Sequence, residues 1–179
     1  MNQRVLSRGS MKLVPALAGS GVFSGYASLF GKRDQQGDIV LPGAFTASLK
    51  RRSIDGIRML FQHNPAEPVG SWIELRETVR GLYVLGRLDK NVQRGRELLS
   101  LLESGGFDGL SIGFKTIRAR SNRVLNAREL VEIDLWEISL VTFPMLDGAR
   151  VSAVKTAAWA RADSFFKPLP ATENHVISM

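Results

Sequence analysis

The sequence predicts a strand-rich α+β domain of about five to seven strands and two or three helices. Short apolar segments with two-residue alternation recur between clusters of Gly, Pro, Asn and Asp, which is the pattern of strands and turns. Only one segment carries a long helical stripe, so the regular strand–helix alternation of a doubly wound sheet is missing. The length of 179 residues and the 44% hydrophobic content suit one domain with a sizeable core.

Residues 1–20 read as a weakly ordered lead-in, with Gly19-Ser20-Gly21 as a boundary. Val22 to Phe30 alternates like a strand, a polar loop covers Gly31 to Asp38, and Ile39-Val40-Leu41 follows. Pro42-Gly43 opens a short helix, Ala44 to Arg52, with Phe45 and Leu49 on one face. Ile57 to Phe61 reads as a buried strand ending at His63, and Asn64-Pro65 with Glu67-Pro68 then force an extended turn. Val69 to Leu75 and Gly81 to Leu88 form a strand pair across Arg76 to Arg80. Asn91 to Ser104 is the clearest helix. Asn91 is its expected N-cap, Leu98, Leu99, Leu101 and Leu102 its apolar stripe, and Gly105-Gly106 its end. Leu110 to Ile117 and a second strand at Arg128 to Val141, with room for a break, come next, and Pro144, Asp147 and Gly148 mark a closing turn. The domain is placed at 21–156. From 157 to 179 the pattern fades into a flexible or removable tail, in which Trp159, Phe165 and Phe166 suit a short docking helix.

Composition narrows the chemistry. With no cysteine, disulfides, thiol nucleophiles and thiolate metal sites are excluded, and two distant histidines leave no metalloprotease spacing. No metal or cofactor is expected. Asp34, Gly37 and Asp38 imitate part of a calcium loop, but the downstream ligands are missing and the stretch reads as a structural turn. The net charge of +7 favours acidic partners. Its basic residues are scattered, with clusters only at Lys50-Arg51-Arg52 and Arg118-Ala119-Arg120, which argues for solvated surface over a nucleic-acid site. No apolar run approaches the roughly 18–20 residues of a membrane span. The first residues lack the features of a signal peptide, so a cytosolic protein is expected.

For proton transfer near neutral pH the sequence offers essentially one base, His63, because the other histidine, His175, lies in the polar tail. Ser111 sits between two glycines in Gly109-Leu110-Ser111-Ile112-Gly113, and carboxylates follow at Glu132, Asp134 and Glu137. Such a set can form a hydrolytic triad. Each member also has an ordinary structural reading: a small residue where strands approach, a strand-end histidine bonded to backbone, and a solvent-facing acid. The α/β-hydrolase elbow is rejected. Phe114 to Ile117 continues as a strand, and that fold's chain order would require His175 as base.

Taken together, Gly25-Tyr26-Ala27, Asp34 to Phe45, Gln62-His63-Asn64 with Pro68-Val69-Gly70, Gly109 to Phe114 and Trp136 to Pro144 resemble the prohead (capsid maturation) proteases of tailed phages of the HK97 type. The resemblance runs from about Phe23 to Val151 and rests on several short motifs in shared order. It implies a mostly antiparallel β-barrel surrounded by a few helices, similar to the herpesvirus assembly protease (assemblin). It also implies a serine endopeptidase that cuts scaffolding segments from capsid subunits, and often itself, inside the procapsid in the host cytoplasm.

Matching positions imply Ser111 as nucleophile and His63 as general base. Glu137 takes the third place, with Asp134 and Glu132 as alternatives. In a regular strand Glu132 and Asp134 share a face, and Glu137 falls on the opposite one. The stretch Thr142 to Arg150 resembles the region that supplies oxyanion amides in the viral relatives. Those relatives dimerise through helices, which makes a homodimer an expectation here. The competing expectation is a non-catalytic capsid assembly or scaffold-binding factor on the same fold.

Overall fold

A computed structural model describes residues 20–155. In chain order its elements are β1 (Val22–Leu29), β2 (Asp38–Val40), α1 (Thr46–Arg52), a 3-10 turn (Ile54–Gly56), β3 (Arg58–Phe61) and β4 (Asn64–Glu77). They continue with β5 (Gly81–Leu88), α2 (Gln93–Ser104), β6 (Gly109–Asn122), β7 (Ala127–Val141) and β8 (Arg150–Lys155). The expected lead-in over 1–20, except for Ser20, and the expected tail and docking helix over 157–179 lie outside the described residues.

Seven strands follow the order β7-β3-β4-β5-β1-β8-β6 and return to β7, so the sheet closes into a barrel. The short β2 rides beside the start of β7. All pairings are antiparallel except β2–β7 and β3–β7. This is the mostly antiparallel barrel with a few helices that the family resemblance implied, and it fits the strand-rich α+β domain read from the residues. Its narrowest seam joins β6 to β8. There Gly109 faces Arg150, the Leu110 N–H donates to Ala149 O at 2.9 Å, and the Val151 N–H donates to Asp108 O at 2.8 Å.

A single core fills the fold, built on Phe23, Trp72, Leu82, Val84, Leu110 and Leu135 among others, with Phe23 and Trp72 edge to face at 5.8 Å. Helix α2 adds Leu98, Leu99 and Leu102, whereas Leu101 is exposed and leaves the predicted stripe. Asn91 is not its cap. Val92 occupies that position without a side-chain bond, and the Asn91 N–H donates instead to Asp89 Oδ1. The expected C-terminal stop holds: Gly105 is left-handed at φ 73°, and the Gly106 N–H returns to Leu101 O.

Three strand assignments change. The stretch Asn64 to Pro68 is the beginning of β4 rather than a separate turn, since a residue before proline is driven to the same extended region a strand uses. Strands β6 and β7 form one long hairpin, paired from Gly109–Val141 to Asn122–Ala127 with local shifts of register. Strand β8, which the sequence reading left unassigned, completes the barrel.

The β6–β7 hairpin also contains the irregularity that creates the site. Gly113 faces Glu137 and Phe114 faces Leu135, which leaves Trp136 as an extra residue without a cross-strand partner. A bulge of this kind resets the alternation of the strand that carries it. Before it, Ile133 and Leu135 face the core; after it, Ile138 and Leu140 do. Glu137 and Ser139 are thereby turned away from the core. On β6, Leu110, Ile112 and Phe114 pack inward, so Ser111 and Gly113 share that outward face. Strict alternation had placed Glu137 opposite to Glu132 and Asp134, and the bulge corrects that expectation.

Candidate active site

His63 is delivered by a tight turn. Phe61 pairs with Asn64 across a two-residue connection, and both central residues have positive φ, 54° at Gln62 and 58° at His63. That is the signature of a type I′ hairpin turn, normally made by Asn or Gly. Positive φ in non-glycine residues costs conformational energy and collects at functional sites. External bonds hold this turn. The Gln62 N–H donates to Leu140 O at 3.0 Å, and its side-chain amide donates to Thr142 Oγ1 at 2.6 Å.

Glu137 meets the imidazole. Its Oε1 lies 2.6 Å from His63 Nδ1, with the carboxylate largely buried and the ring about half exposed. Across the ladder, Gly113 leaves the space this carboxylate fills: a Cβ at position 113 would stand 1.9 Å from Glu137 Oε1. Gly109 permits a second close approach, since a Cβ there would lie 2.2 Å from Val141 O. The two glycines around Ser111 therefore serve strand packing and acid placement, not a strained elbow.

Ser111 is buried on β6 directly opposite Ser139. Residues paired across strands on one face have Cβ atoms roughly 4.5–5.5 Å apart, and Ser139 Oγ accepts the His63 N–H at 3.0 Å. Ser111 and His63 also line one cleft of about 240 Å³, with Leu110, Ile112, Met145 and Leu146 supplying apolar wall. The segment expected to supply oxyanion amides therefore borders the same cleft.

The other two carboxylates are engaged elsewhere. Asp134 accepts from Arg51, Arg52 and the Trp136 indole, and Arg52 above all holds its carboxyl well below the usual carboxylate range. Glu132 stands 3.9 Å from Arg118. The basic clusters are thus drawn into ion pairs with their own sheet, Arg120 with Glu129 included. Asp34 Oδ1 accepts the Gln36 and Asp38 N–H groups, and Asp38 is forked to Arg128, so that loop is a turn closed on itself. Among the described residues no group of three or more His, Cys, Asp or Glu is placed to hold a metal ion.

Sequence reasoning missed Ser139. It donates to Glu137 Oε2 at 2.6 Å and is fully buried. A serine two positions beyond an acid carries no signal unless the bulge is already known.

Comparison with known proteins shows the family and the fold. The family profile described as "Caudovirus prohead serine protease" matches residues 10–163. A prohead protease of Enterobacteria phage HK97 is 37% identical over 138 residues, covering 76% of this chain and 61% of the relative. A prohead protease of Escherichia phage T5 is 26% identical over 121 residues, covering 67% and 56%. The chain thus spans about three fifths of the length of these relatives. Among solved structures, the KSHV protease in complex with a hexapeptide phosphonate inhibitor aligns with a TM-score of 0.51 at 15% identity, covering 73% of this chain and 63% of that one. That likeness concerns the fold. On the extent of the profile match, the chain belongs to the caudovirus prohead serine protease family.

Proposed function

We propose that the chain is a serine endopeptidase of capsid maturation, with Ser111 as nucleophile, His63 as general base and Glu137 as the acid that orients it. The observation that carries this reading is the 2.6 Å contact of Glu137 with His63 Nδ1, made where His63 and Ser111 line one cleft. With Nδ1–H donated to the carboxylate, Nε2 is left as the basic nitrogen. As Ser111 Oγ bonds to the peptide carbonyl carbon, Nε2 takes its proton. The same proton passes to the leaving amine when the C–N bond breaks. Water, deprotonated by His63, then hydrolyses the acyl-serine and restores the hydroxyl. Glu137 stabilises the imidazolium in both steps. Backbone amides facing the cleft would stabilise the oxyanion, each donor contributing roughly 2.7–4 kcal/mol.

The substrate in this reading is the scaffolding segment of the capsid subunit, with self-cleavage a second outlet, and the place is the procapsid inside the host cell. Family membership and the relatives named prohead protease support it. The test is co-expression with the capsid subunit of the same phage and mass mapping of new termini. New termini that vanish with Ser111→Ala support the proposal. Unchanged capsid subunit with the wild-type chain contradicts it and favours a non-catalytic assembly factor, and undiminished cleavage with the variant contradicts the assignment of Ser111 as nucleophile.

A further inference from the structure

One buried polar side chain in the site has no part in the chemistry above. Ser139 has no exposed surface and faces Ser111 across the ladder, on the side of β7 turned away from the core. Its hydroxyl donates to Glu137 Oε2 at 2.6 Å and accepts the His63 N–H at 3.0 Å. Glu137 Oε1 closes the loop at His63 Nδ1, 2.6 Å away. These three contacts form a ring that leaves the backbone of His63, passes through a hydroxyl and a carboxylate, and returns to its own imidazole.

The direction of that ring is fixed. A backbone N–H can only donate, and a hydroxyl has a single proton, which here goes to the carboxylate. The carboxylate therefore presents its remaining oxygen to the imidazole. A two-residue turn with positive φ at both positions and a half-exposed ring has little packing of its own to set the ring's direction. Parallel pairing of Leu60 with Ser139 brings β3 beside this point of β7, so the hydroxyl lies where the turn begins.

We propose that Ser139 is a positioning residue: it pins the Gln62-His63 turn and aims Glu137, so that the imidazole is held toward Ser111. For packing alone, an alanine at this site would serve. The inference rests on the proteolytic reading for its catalytic consequence, but its effect on the ring can be read without any cleavage.

The experiment combines proton NMR of ¹⁵N-labelled protein with the rate of fluorophosphonate acylation of Ser111, for wild type, Ser139→Ala and Ser139→Cys. The cysteine variant nearly conserves volume while weakening the hydrogen bonds. A proton shared by His63 Nδ1 and a carboxylate gives a far-downfield resonance, and His175→Gln assigns it, since the chain has two histidines. The expected result is that both variants keep the amide spectrum of the barrel and lose or broaden that resonance. Both should acylate on the order of 10²-fold more slowly at saturating probe, the loss that a misplacement of about 1 Å can cause, with unchanged half-saturation. Folded variants that retain the resonance and react at the wild-type rate would overturn the proposal, as would unfolding of both. If wild type is not acylated while the variants still lose the resonance, the proteolytic reading fails and the positioning of His63 by Ser139 stands.

Discussion

At the scale of single residues, the contact between His63 and Glu137 and the vacancy at Gly113 make separable predictions. Glu137→Gln keeps the shape of the side chain but offers an amide where the ring needs an acceptor. In the best-studied triad the equivalent change lowers kcat by about 10⁴ through the wrong tautomer, and a fall of that order with little change in KM is expected here from steady-state peptide hydrolysis. Gly113→Ala places a methyl group 1.9 Å from Glu137 Oε1. A side-chain carboxylate can swing aside, so thermal stability should change little while kcat falls on the order of 10²-fold. Stability and activity falling together would instead mean that the strand, not the acid, had moved. His63 and Ser111 stood out as candidates in the sequence because histidine is scarce in this chain and the serine sits in a recognisable pentapeptide. Glu137 was singled out only through family resemblance, as two other nearby acids, Asp134 and Glu132, competed for its place. Ser139 was not legible, because its meaning depends on a partner 76 positions away.

At the scale of elements, the bulge at Trp136 decides which acid enters the site, and α1 guards it. Ser48 is fully buried, and its hydroxyl accepts the Leu135 N–H at 2.8 Å, satisfying a backbone donor next to the interrupted ladder. Ser48→Ala leaves that donor without a partner and should cost about 1–3 kcal/mol in denaturant unfolding. Arg51 and Arg52 extend the same clamp to Asp134. The carboxyl of Asp134 is held below its unfolded value of about 3.9, so its contribution to stability is complete above that pH and fades as pH falls through the folded value. Asp134→Asn should therefore lower Tm at neutral pH, with the gap to wild type narrowing below about pH 4. A gap that is constant with pH would deny the electrostatic origin. Period-two reasoning located β6 and β7 but assigned Glu137 to the wrong face. Alternation cannot register one unpaired residue, and Trp136 reads as an ordinary strand aromatic.

At the scale of the whole molecule, three distant segments are assembled by closure of the barrel. The β3–β4 turn brings His63, β6 brings Ser111, and β7 brings Glu137 and Ser139, while β3 and β6 both pair with β7 and so register the site on one strand. Most of the individual strands were legible as alternating segments and turn residues, as was the helix stop at Gly105, whereas closure into a barrel was expected only from the family resemblance. The closing strand β8 was not. Arg150 to Lys155 is short, begins and ends with a cation, and acquires strand character from its neighbours β1 and β6 rather than from its own pattern. The central claim belongs to this scale, because it requires that the fold bring one imidazole to one hydroxyl. Its most direct test is mass-mapped labelling by a fluorophosphonate. The account predicts a single adduct on Ser111 in the wild-type chain, formed at least 10²-fold more slowly in His63→Ala, in line with the loss of an essential base. An adduct at another residue, or labelling of Ser111 that is indifferent to His63, would contradict it.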